Sequence, residues 1–235
     1  MHFIYINKYM IKEKLKRNTL IYKIYLYYQI FFKEKSFIKR KTYSQWGEDI
    51  IIEKYFGNRI GRYVDIGCFH PIRHSNTCLL YNKGWRGTNI DLNPTSIELF
   101  NIVRKEDNNI LATLSDKTNK EVDIFFEHNF SPINSLHLKN FSFEKRKYFK
   151  QKTLTKKFSE LVNFNFDFLN IDCEGEDLNI LKTIDLKRFT PNLICIEINS
   201  DKTNYESEVY KLLKEYNYKK LCVKNFSHIF VKIGH

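Results

Sequence analysis

Two short apolar runs, each ending in a small or acidic residue, carry the clearest chemical signal in this sequence. Arg62-Tyr-Val-Asp-Ile-Gly67 is followed by Gly87-Thr-Asn-Ile-Asp91, at the spacing of about 20 residues with which doubly wound α/β folds hold a nucleoside. Gly67 lets the backbone approach a ligand, and Asp91 offers a carboxylate to ribose hydroxyls. The two runs together predict an adenosine site, here for S-adenosylmethionine. The alternative, that Asp65 and Asp91 only cap turns, is the weaker interpretation of two acids at this spacing.

Alternating strands and helices are expected to position these residues. Residues 63–66 are typical of a buried parallel strand, and Asn93-Pro94 predicts a helix start with Asn as N-cap and Pro at the first helical position. The alternation predicts an α/β fold with a mostly parallel sheet, covered on both faces and closed by an antiparallel strand pair. We expect strands at residues 63–66, 87–91, 110–114, 121–127, 166–171, 193–198, 220–223 and 228–233, and helices at 50–56, 94–105, 178–184 and 206–216.

Most of the positive charge is concentrated at the N-terminus. Residues 1–41 contain eleven Lys and Arg against two Glu, a surplus of nine out of the total net charge of +12. The remaining residues 42–235 are close to neutral, which argues against a nucleic-acid groove across them. We therefore divide the chain into a basic, aromatic, helical extension (1–41), suited to an anionic membrane surface, and one catalytic domain (42–235). Two alternatives stay open: a solvated extension, or packing onto the domain or a second copy through Tyr22, Tyr25, Leu26 and Ile30.

The cysteines and the N-terminus bear on the cellular compartment. No C-x-x-C pair occurs, so the cysteines are expected to be reduced thiols of a cytosolic protein. No secretory signal is recognisable. The longest apolar stretch, residues 20–32, is interrupted by Lys23 and Gln29 and is shorter than the roughly 20 residues that span a bilayer. We expect a cytoplasmic protein, with peripheral contact to the inner membrane surface as a further hypothesis.

Seven motifs follow one another along the chain. They are Ser44-Gln-x-Gly-Glu-Asp49, Tyr63-Val-Asp-Ile-Gly67, Ser75-Asn-Thr77, Gly84-Trp-x-Gly87, Asn89-Ile-Asp-x-Asn-Pro94, Thr153-Leu-Thr155 and Phe168-Leu-Asn-Ile-Asp-x-Glu-Gly175. In this order they resemble the FkbM family of S-adenosylmethionine-dependent methyltransferases. The resemblance implies a class I methyltransferase (Rossmann-like) fold, with a seven-stranded, mostly parallel sheet whose last strand is antiparallel, and it implies O-methylation as the activity.

The resemblance also suggests how the cofactor is held. It implies that Asp91 binds the ribose and that residues 115–116 lie near the adenine, although Asp116 equally suits a turn. Unlike in many relatives, Gly67 is followed by Cys-Phe-His-Pro rather than by small residues. We expect Ser75 and Asn76 to supply polar contacts there instead. The predicted cofactor-binding residues are Asp65, Gly67, Ser75, Asn76, Asp91, Ser115 and Asp116.

Residues on either side of the first strand are candidates for substrate contacts. Gln45 and Glu48 precede the strand, and His70 and His74 follow it. Capping of the helix at 50–56 is the alternative role for Glu48. A His beside a loop proline is more often a surface residue than a catalytic one.

Four polar residues follow strands that are expected to be neighbours: Asp172, Glu174, Glu197 and Asn199. Methyl transfer is an in-line displacement, so the enzyme must align the acceptor oxygen and remove its proton. We expect Asp172 to be the general base, with Glu174 as the second catalytic candidate. A metal such as Mg²⁺, held by Asp172, Glu197 and Asn199, is the alternative. Glu174 and Asp177 would otherwise only favour the positive end of the next helix.

The sequence therefore predicts an S-adenosylmethionine-dependent O-methyltransferase that acts on a hydroxyl, most plausibly of a sugar or glycan precursor. The predicted partner is a small molecule or glycan and not a nucleic acid. An NAD-dependent oxidoreductase would require Gly-x-Gly-x-x-Gly after the first strand, where this chain has one glycine. A non-catalytic scaffold at a membrane surface would rest on the basic N-terminus alone.

Overall fold

The structure is a computed structural model that describes residues 17, 19–33, 41–131, 134–136, 148–198 and 203–234. The helices in these ranges are α1 (Leu20–Tyr28, continued by a π-helical turn, Gln29–Lys33), α2 (Glu48–Phe56), α3 (Cys78–Asn82), α4 (Pro94–Val103), α5 (Phe158–Leu161), α6 (Asp177–Thr183) and α7 (Thr203–Glu215). The strands are β1 (Arg62–Ile66), β2 (Arg86–Asp91), β3 (Asn108–Leu111), β4 (Thr113–Leu114), β5 (Glu121–Phe126), β6 (Asn134–Ser135), β7 (Phe149–Lys156), β8 (Phe168–Ile171), β9 (Leu193–Glu197), β10 (Tyr218–Lys224) and β11 (Ser227–Lys232).

The main sheet has seven strands in the order β10-β11-β9-β8-β1-β2-β3. Strands β1, β2, β3, β8 and β9 pair in parallel, whereas β11 is antiparallel to both β9 and β10. Apolar clusters cover both faces of this sheet. The prediction of a mostly parallel, seven-stranded sheet with an antiparallel last strand is confirmed.

The register of the central strands brings three loops to one edge of the sheet. Asp65 of β1 lies level with Asn170 of β8, and Ile66 lies level with Ile171. On the other side of β1, Ile66 is level with Ile90 of β2. The loops that follow β1, β2 and β8 therefore leave the sheet side by side at its carboxyl edge, which is where open α/β sheets bind ligands.

The starts of two helices test the capping predictions. Asn93 is the N-cap of α4, its side chain accepts a hydrogen bond of 2.9 Å from the backbone N–H of Thr95, and Pro94 is the first helical residue, as predicted. The start of α2 has no side-chain cap. Gly47 is the N-cap, with a left-handed φ of 84° that a side chain would strain.

A second sheet of four strands, in the order β4-β7-β5-β6, is the largest departure from the expected fold. The strand expected at 110–114 is divided, with β3 in the main sheet and β4 in the second sheet. The strand expected at 121–127 is β5, which also belongs to the second sheet. Strand β7 was not expected, because six of its eight side chains are exposed and no apolar alternation marks it. Backbone pairing with β5 holds β7 in place.

The described part of the N-terminal extension packs on the domain. Tyr22, Leu26 and Ile30 are buried in one cluster with Leu99 and Phe130. Of the expected packing residues, Tyr25 is partly buried against the same cluster. The rest of the extension, residues 1–16, 18 and 34–40, lies outside the described residues. Among the helices that the structure describes, none combines the length and the hydropathy needed to cross a bilayer.

Candidate functional site

A cleft lies over the carboxyl ends of β1, β2 and β8. Ten of the residues predicted for the site line it: Gln45, Asp65, Gly67, His74, Ser75, Asn76, Asp91, Asp172, Glu174 and Glu197. The cleft thus collects residues that are up to 152 positions apart in the sequence. The other predicted site residues lie elsewhere, and Asn199 is outside the described residues.

Gly67 is where the first loop meets the loop after β8. Its φ is 75°, in the left-handed region, and a Cβ there would lie 1.7 Å from the backbone oxygen of Asp172. No side chain fits at this position, so glycine is required for the two loops to pass each other. Because Gly67 has no side chain, the backbone of the predicted cofactor motif contacts the loop after β8 that carries Asp172.

Asp91 ends β2 and links two loops at the cleft. One carboxylate oxygen accepts the N–H of Phe69 at 2.8 Å, and the other accepts the N–H of Asn93 at 2.7 Å. Burial raises the pKa of Asp91 to about 6, although these two hydrogen bonds oppose the shift. Each oxygen has a second lone pair, which leaves acceptor capacity for hydroxyl groups of a ligand.

Asp65 is the centre of a buried hydrogen-bond chain. Its carboxylate accepts from the Thr77 hydroxyl at 2.6 Å and from the Asn170 amide at 2.8 Å. Asn170 in turn accepts from the amide of Asn76 at 2.9 Å. Burial raises the pKa of Asp65. Both oxygens of Asp65 thus hold protein groups in place, and Asn170, which was not among the predicted site residues, lines the cleft between β1 and β8.

Unusual backbone conformations cluster at the cleft. Phe69, His74 and Glu174 have φ values of 51°, 54° and 51°, and all three line the cleft. Elsewhere in the described residues, the non-glycine positions with positive φ are all Asn, which tolerates this conformation. Left-handed backbone at bulky residues costs free energy and concentrates at functional sites. The backbone conformation of the loops at the cleft is therefore set by their place in the site and not by the intrinsic conformational preferences of these residues.

The acidic lining of the cleft favours a positively charged ligand. Six of its lining residues are acidic, and no Lys or Arg in the described part of the chain lines it. S-adenosylmethionine carries a sulfonium and an ammonium group and one carboxylate, so its net positive charge is complementary to these acidic residues. Leu92, Leu114 and Ile180 supply an apolar wall suited to an adenine ring. A dinucleotide, which brings two phosphate charges, would be repelled here.

Comparison with known proteins decides the family. The model of the FkbM methyltransferase domain matches residues 56–220. The chain belongs to this family. No curated protein sequence matches the chain. Among solved structures, the FkbM methyltransferase from Methylobacillus flagellatus KT is similar with a TM-score of 0.50 and 12% identity over 73% of this chain. This chain covers 43% of that protein, which is less than half of its length.

Two further solved structures are less similar. A TehB-like SAM-dependent methyltransferase from Corynebacterium glutamicum has a TM-score of 0.47 and 12% identity, covering 88% of this chain and 96% of its own. The 1,6-didemethyltoxoflavin-N1-methyltransferase of Burkholderia thailandensis, solved with S-adenosylhomocysteine, has a TM-score of 0.39 and 10% identity, covering 93% and 91%. The FkbM family and the class I fold imply S-adenosylmethionine as the methyl donor.

In this member of the FkbM family, a buried arginine supports the first loop. Arg104 is 0% exposed, and its guanidinium donates to the carbonyl of Pro71, the hydroxyl of Ser75 at 2.7 Å and the hydroxyl of Thr77 at 2.7 Å. Ser75, predicted as a cofactor contact, is thus engaged by Arg104. No sequence pattern indicates this role, because an arginine at a helix end usually lies in solvent.

The FkbM motif at the start of α2, residues 44–49, mainly holds the backbone that precedes the helix. Asp49 is fully buried and accepts from the backbone N–H of Tyr43 at 2.6 Å and from the hydroxyl of Ser44 at 2.7 Å. Glu48 does not line the cleft, and its carboxylate accepts from the N–H of Trp46 at 2.8 Å. Glu48 therefore holds the backbone ahead of α2, and the exposed Gln45 lies at the cleft.

Three other predicted residues also lie away from the cleft. Ser115 and Asp116 line a neighbouring groove between the second sheet and α6, and the Ser115 hydroxyl donates to Asp116 at 2.9 Å. His70 is buried, and its Nδ1 accepts the N–H groups of Ile72 and Arg73 at 3.1 and 3.0 Å. Burial lowers the pKa of His70 well below its usual range, so this imidazole is a neutral loop brace.

Asp172, Asp177 and Glu197 bring carboxylate oxygens within 4.8 Å of one another. The side chain of Asp172 is exposed to the cleft, and the protein around it excludes bulk water. This desolvation and the charge of Glu197 raise the pKa of Asp172 well above its usual value. Burial and the charges of Asp177 and Glu174 raise the pKa of Glu197 to about 8. Because Asp172 and Glu197 interact closely, the two carboxyl groups titrate as a pair.

The raised pKa of Glu197 predicts a pH-dependent stability. A carboxyl group that binds its proton more tightly in the folded state destabilises the protein as pH rises from about 4.5 to about 8. Glu197→Gln removes that loss, so in the presence of a chelator we expect the variant to exceed wild type by about 2 to 4 kcal/mol at pH 8 and to match it at pH 5. Thermal unfolding at both pH values measures this. The exposed Glu215→Gln is the matched control, and equal pH dependence of wild type and Glu197→Gln would contradict the raised pKa.

Proposed function

We propose that this chain is an S-adenosylmethionine-dependent O-methyltransferase that acts on a hydroxyl group of a sugar or glycan precursor. The observation that supports it is the meeting of two kinds of residue at one cleft. Asp91, at the end of β2, lies on one side of Gly67, and Asp172, at the end of β8, lies on the other. The proposal thereby assigns cofactor binding and proton removal to the ends of the two strands that flank β1.

In the proposed mechanism, Asp91 accepts hydrogen bonds from the ribose and the acidic cleft favours the cation. The bound cofactor supplies an electrophilic methyl group. Asp172 orients the acceptor hydroxyl and, in its deprotonated form, takes its proton, and its raised pKa makes that form a stronger base than an ordinary carboxylate. Glu174 follows Asp172 in the same loop and is the second catalytic candidate. Exposed Gln45 and His74 lie on the solvent side and are proposed to contact the acceptor.

A metal-assisted version of this mechanism is favoured by the carboxylate cluster. Asp172, Asp177 and Glu197 offer oxygen ligands within 4.8 Å of one another, as hard divalent cations prefer. Asp177, however, already accepts the N–H groups of Cys173 at 2.7 Å and Gly175 at 3.1 Å. Mg²⁺ at Asp172 and Glu197 would orient the acceptor and lower the pKa of its hydroxyl.

Ligand titration separates the proposal from its rivals. Isothermal titration with S-adenosylmethionine and with NAD distinguishes three functions. A methyltransferase should bind S-adenosylmethionine alone, an oxidoreductase should bind NAD, and a non-catalytic scaffold should bind neither. Mass spectrometry of a cell extract incubated with the protein and methyl-labelled cofactor then identifies the acceptor. A labelled product without a modified hydroxyl would contradict O-methylation.

Replacement of Asp91 tests the cofactor site. A charge-assisted hydrogen bond contributes roughly 1.5 to 3 kcal/mol, so Asp91→Ala should weaken S-adenosylmethionine binding by about 10- to 100-fold. Calorimetric titration measures the dissociation constant, with circular dichroism to show that the variant is folded, since Asp91 also holds Phe69 and Asn93. Asp185→Ala, an exposed acid far from the cleft, is the control. An unchanged dissociation constant in folded Asp91→Ala would remove Asp91 from the site.

For the location and partners of the protein, we propose a cytoplasmic enzyme that acts on a small molecule or glycan and not on a nucleic acid. The reduced state expected for the cysteines and the near-neutral domain support this proposal. The basic residues 1–41 support contact with an anionic membrane surface.

A further inference from the structure

Helix α1 and its π-helical turn are apolar on both faces. On the inner face, Tyr22, Leu26 and Ile30 are at most 4% exposed and pack in the cluster that includes Phe130. The Tyr22 hydroxyl also lies 3.0 Å from the hydroxyl of Thr95. The helix is therefore anchored to the domain along this face, and its orientation is fixed.

The outer face of the same helix carries an apolar surface of its own. Seven large side chains between positions 20 and 32 are 43% to 73% exposed: Leu20, Ile21, Ile24, Tyr27, Tyr28, Phe31 and Phe32. Single exposed apolar residues are common on proteins, but seven on one helical face form a continuous patch. Such a patch marks a surface that contacts another apolar phase or partner.

The charges around this patch indicate which partner it meets. Lys23 and Lys33 are exposed at its edges, and the N-terminal sequence to which the helix belongs, residues 1–41, carries a surplus of nine positive charges. Aromatic and aliphatic residues flanked by lysines are typical of helices that lie in the interface of anionic bilayers. A second copy of the chain would instead bring two equally basic segments together, which repulsion opposes.

We propose that the outer face of α1 and its π-helical turn docks the protein on an anionic lipid surface. The apolar side chains enter the boundary between headgroups and acyl chains, and the lysines pair with the anionic headgroups. The cleft is then held close to the lipid. Phe69 lines the cleft and also a small cavity beside Gln29 of the π-helical turn, so the cleft and the docking helix share a lining side chain.

Vesicle co-sedimentation of the full chain tests the proposal without cofactor or acceptor, so its result is independent of the proposed activity. The vesicles contain phosphatidylglycerol and phosphatidylcholine in equal amounts, or phosphatidylcholine alone. The test variant is Ile24→Gln with Phe32→Gln, which are 59% and 71% exposed. The matched control is Ile60→Gln with Leu154→Gln, which are 71% and 55% exposed and lie outside the patch.

We expect wild type and control to sediment with the anionic vesicles and to dissociate at high salt, and the test variant to partition at least about tenfold less. Equal melting temperatures of the two variants show that folding is unaffected. Three results would overturn the proposal: no sedimentation of wild type, equal sedimentation of test variant and wild type, or a wild-type dimer in sedimentation velocity that the test variant dissociates. The last result would assign the patch to a second copy of the chain.

Discussion

Asp172→Asn is expected to lower kcat by about 10²- to 10⁴-fold, which is the usual contribution of a positioned general base. The substitution keeps the shape of the side chain and removes its basicity, so the affinity for S-adenosylmethionine should stay near that of wild type. Asp172 is exposed within the cleft, where Glu197 is the neighbouring carboxyl group that acts on it. Loss of the carboxylate should therefore affect chemistry rather than folding. Single-turnover kinetics and calorimetric titration measure the two effects separately.

Asp116→Asn is the matched control for this prediction. It makes the same change in the neighbouring groove, and kcat should remain near wild type. Addition of a chelator, followed by Mg²⁺, distinguishes the base from the metal: only a metal site loses activity with chelator, regains it with Mg²⁺ and is damaged equally by Glu197→Gln. Near-wild-type turnover in Asp172→Asn, with no effect of chelator, would contradict both roles and leave proximity as the source of rate.

Arg104→Met is expected to lower the free energy of unfolding by about 3 to 5 kcal/mol. The guanidinium is fully buried, and its removal leaves the carbonyl of Pro71 and the buried acids Asp65 and Asp107 without their cation. In a domain of this size the melting temperature should fall by about 6 to 20 °C. Arg104→Lys should recover only part of the loss, because an ammonium cannot donate in the same fork geometry.

Urea unfolding measures the effect of Arg104→Met. Arg86→Met is the matched control, since Arg86 is 38% exposed and its ion pair with Glu106 lies at the surface. Surface ion pairs contribute about 0 to 1 kcal/mol, so the control should change the stability little. Equal losses in the two variants would show that the buried network does not hold the first loop.

The parts of the fold that rest on local signals could be predicted from the sequence. Asn93 and Pro94 start α4 because capping chemistry acts within one helical turn. The apolar runs that form β1, β8 and β9 are buried on both faces, so their composition alone identifies them. The order of these strands followed from the resemblance rather than from the residues themselves.

The parts that depend on tertiary contacts could not be predicted in this way. Strand β7 is largely exposed, and its pairing partner β5 begins 28 residues earlier in the sequence. Arg104 is buried only because Pro71, Ser75 and Thr77 fold over it, which no local pattern encodes. Ser75 lines the cleft as predicted for a cofactor contact, and the sequence did not indicate that its hydroxyl also holds this arginine and the N–H of Cys78.

At the candidate site, the strand-end rule located the cleft but not the role of each residue. The rule placed Asp91 and Asp172 at one edge, because parallel strands end there together. It did not distinguish a residue that lines the cleft from one that braces a loop behind it. His70 and Glu48 were expected at the substrate and instead accept backbone N–H groups.

The acidic lining of the cleft has a consequence for turnover. When the methyl group leaves, the sulfonium becomes a neutral thioether, and the net charge of the bound nucleoside falls by one. Six acidic residues line the cleft, and no Lys or Arg is among the described lining residues. This lining attracts the less positive product less strongly than it attracts S-adenosylmethionine. In the proposed reaction, the field of this lining would favour the donor over S-adenosylhomocysteine, so methyl transfer would itself weaken the binding of the spent cofactor.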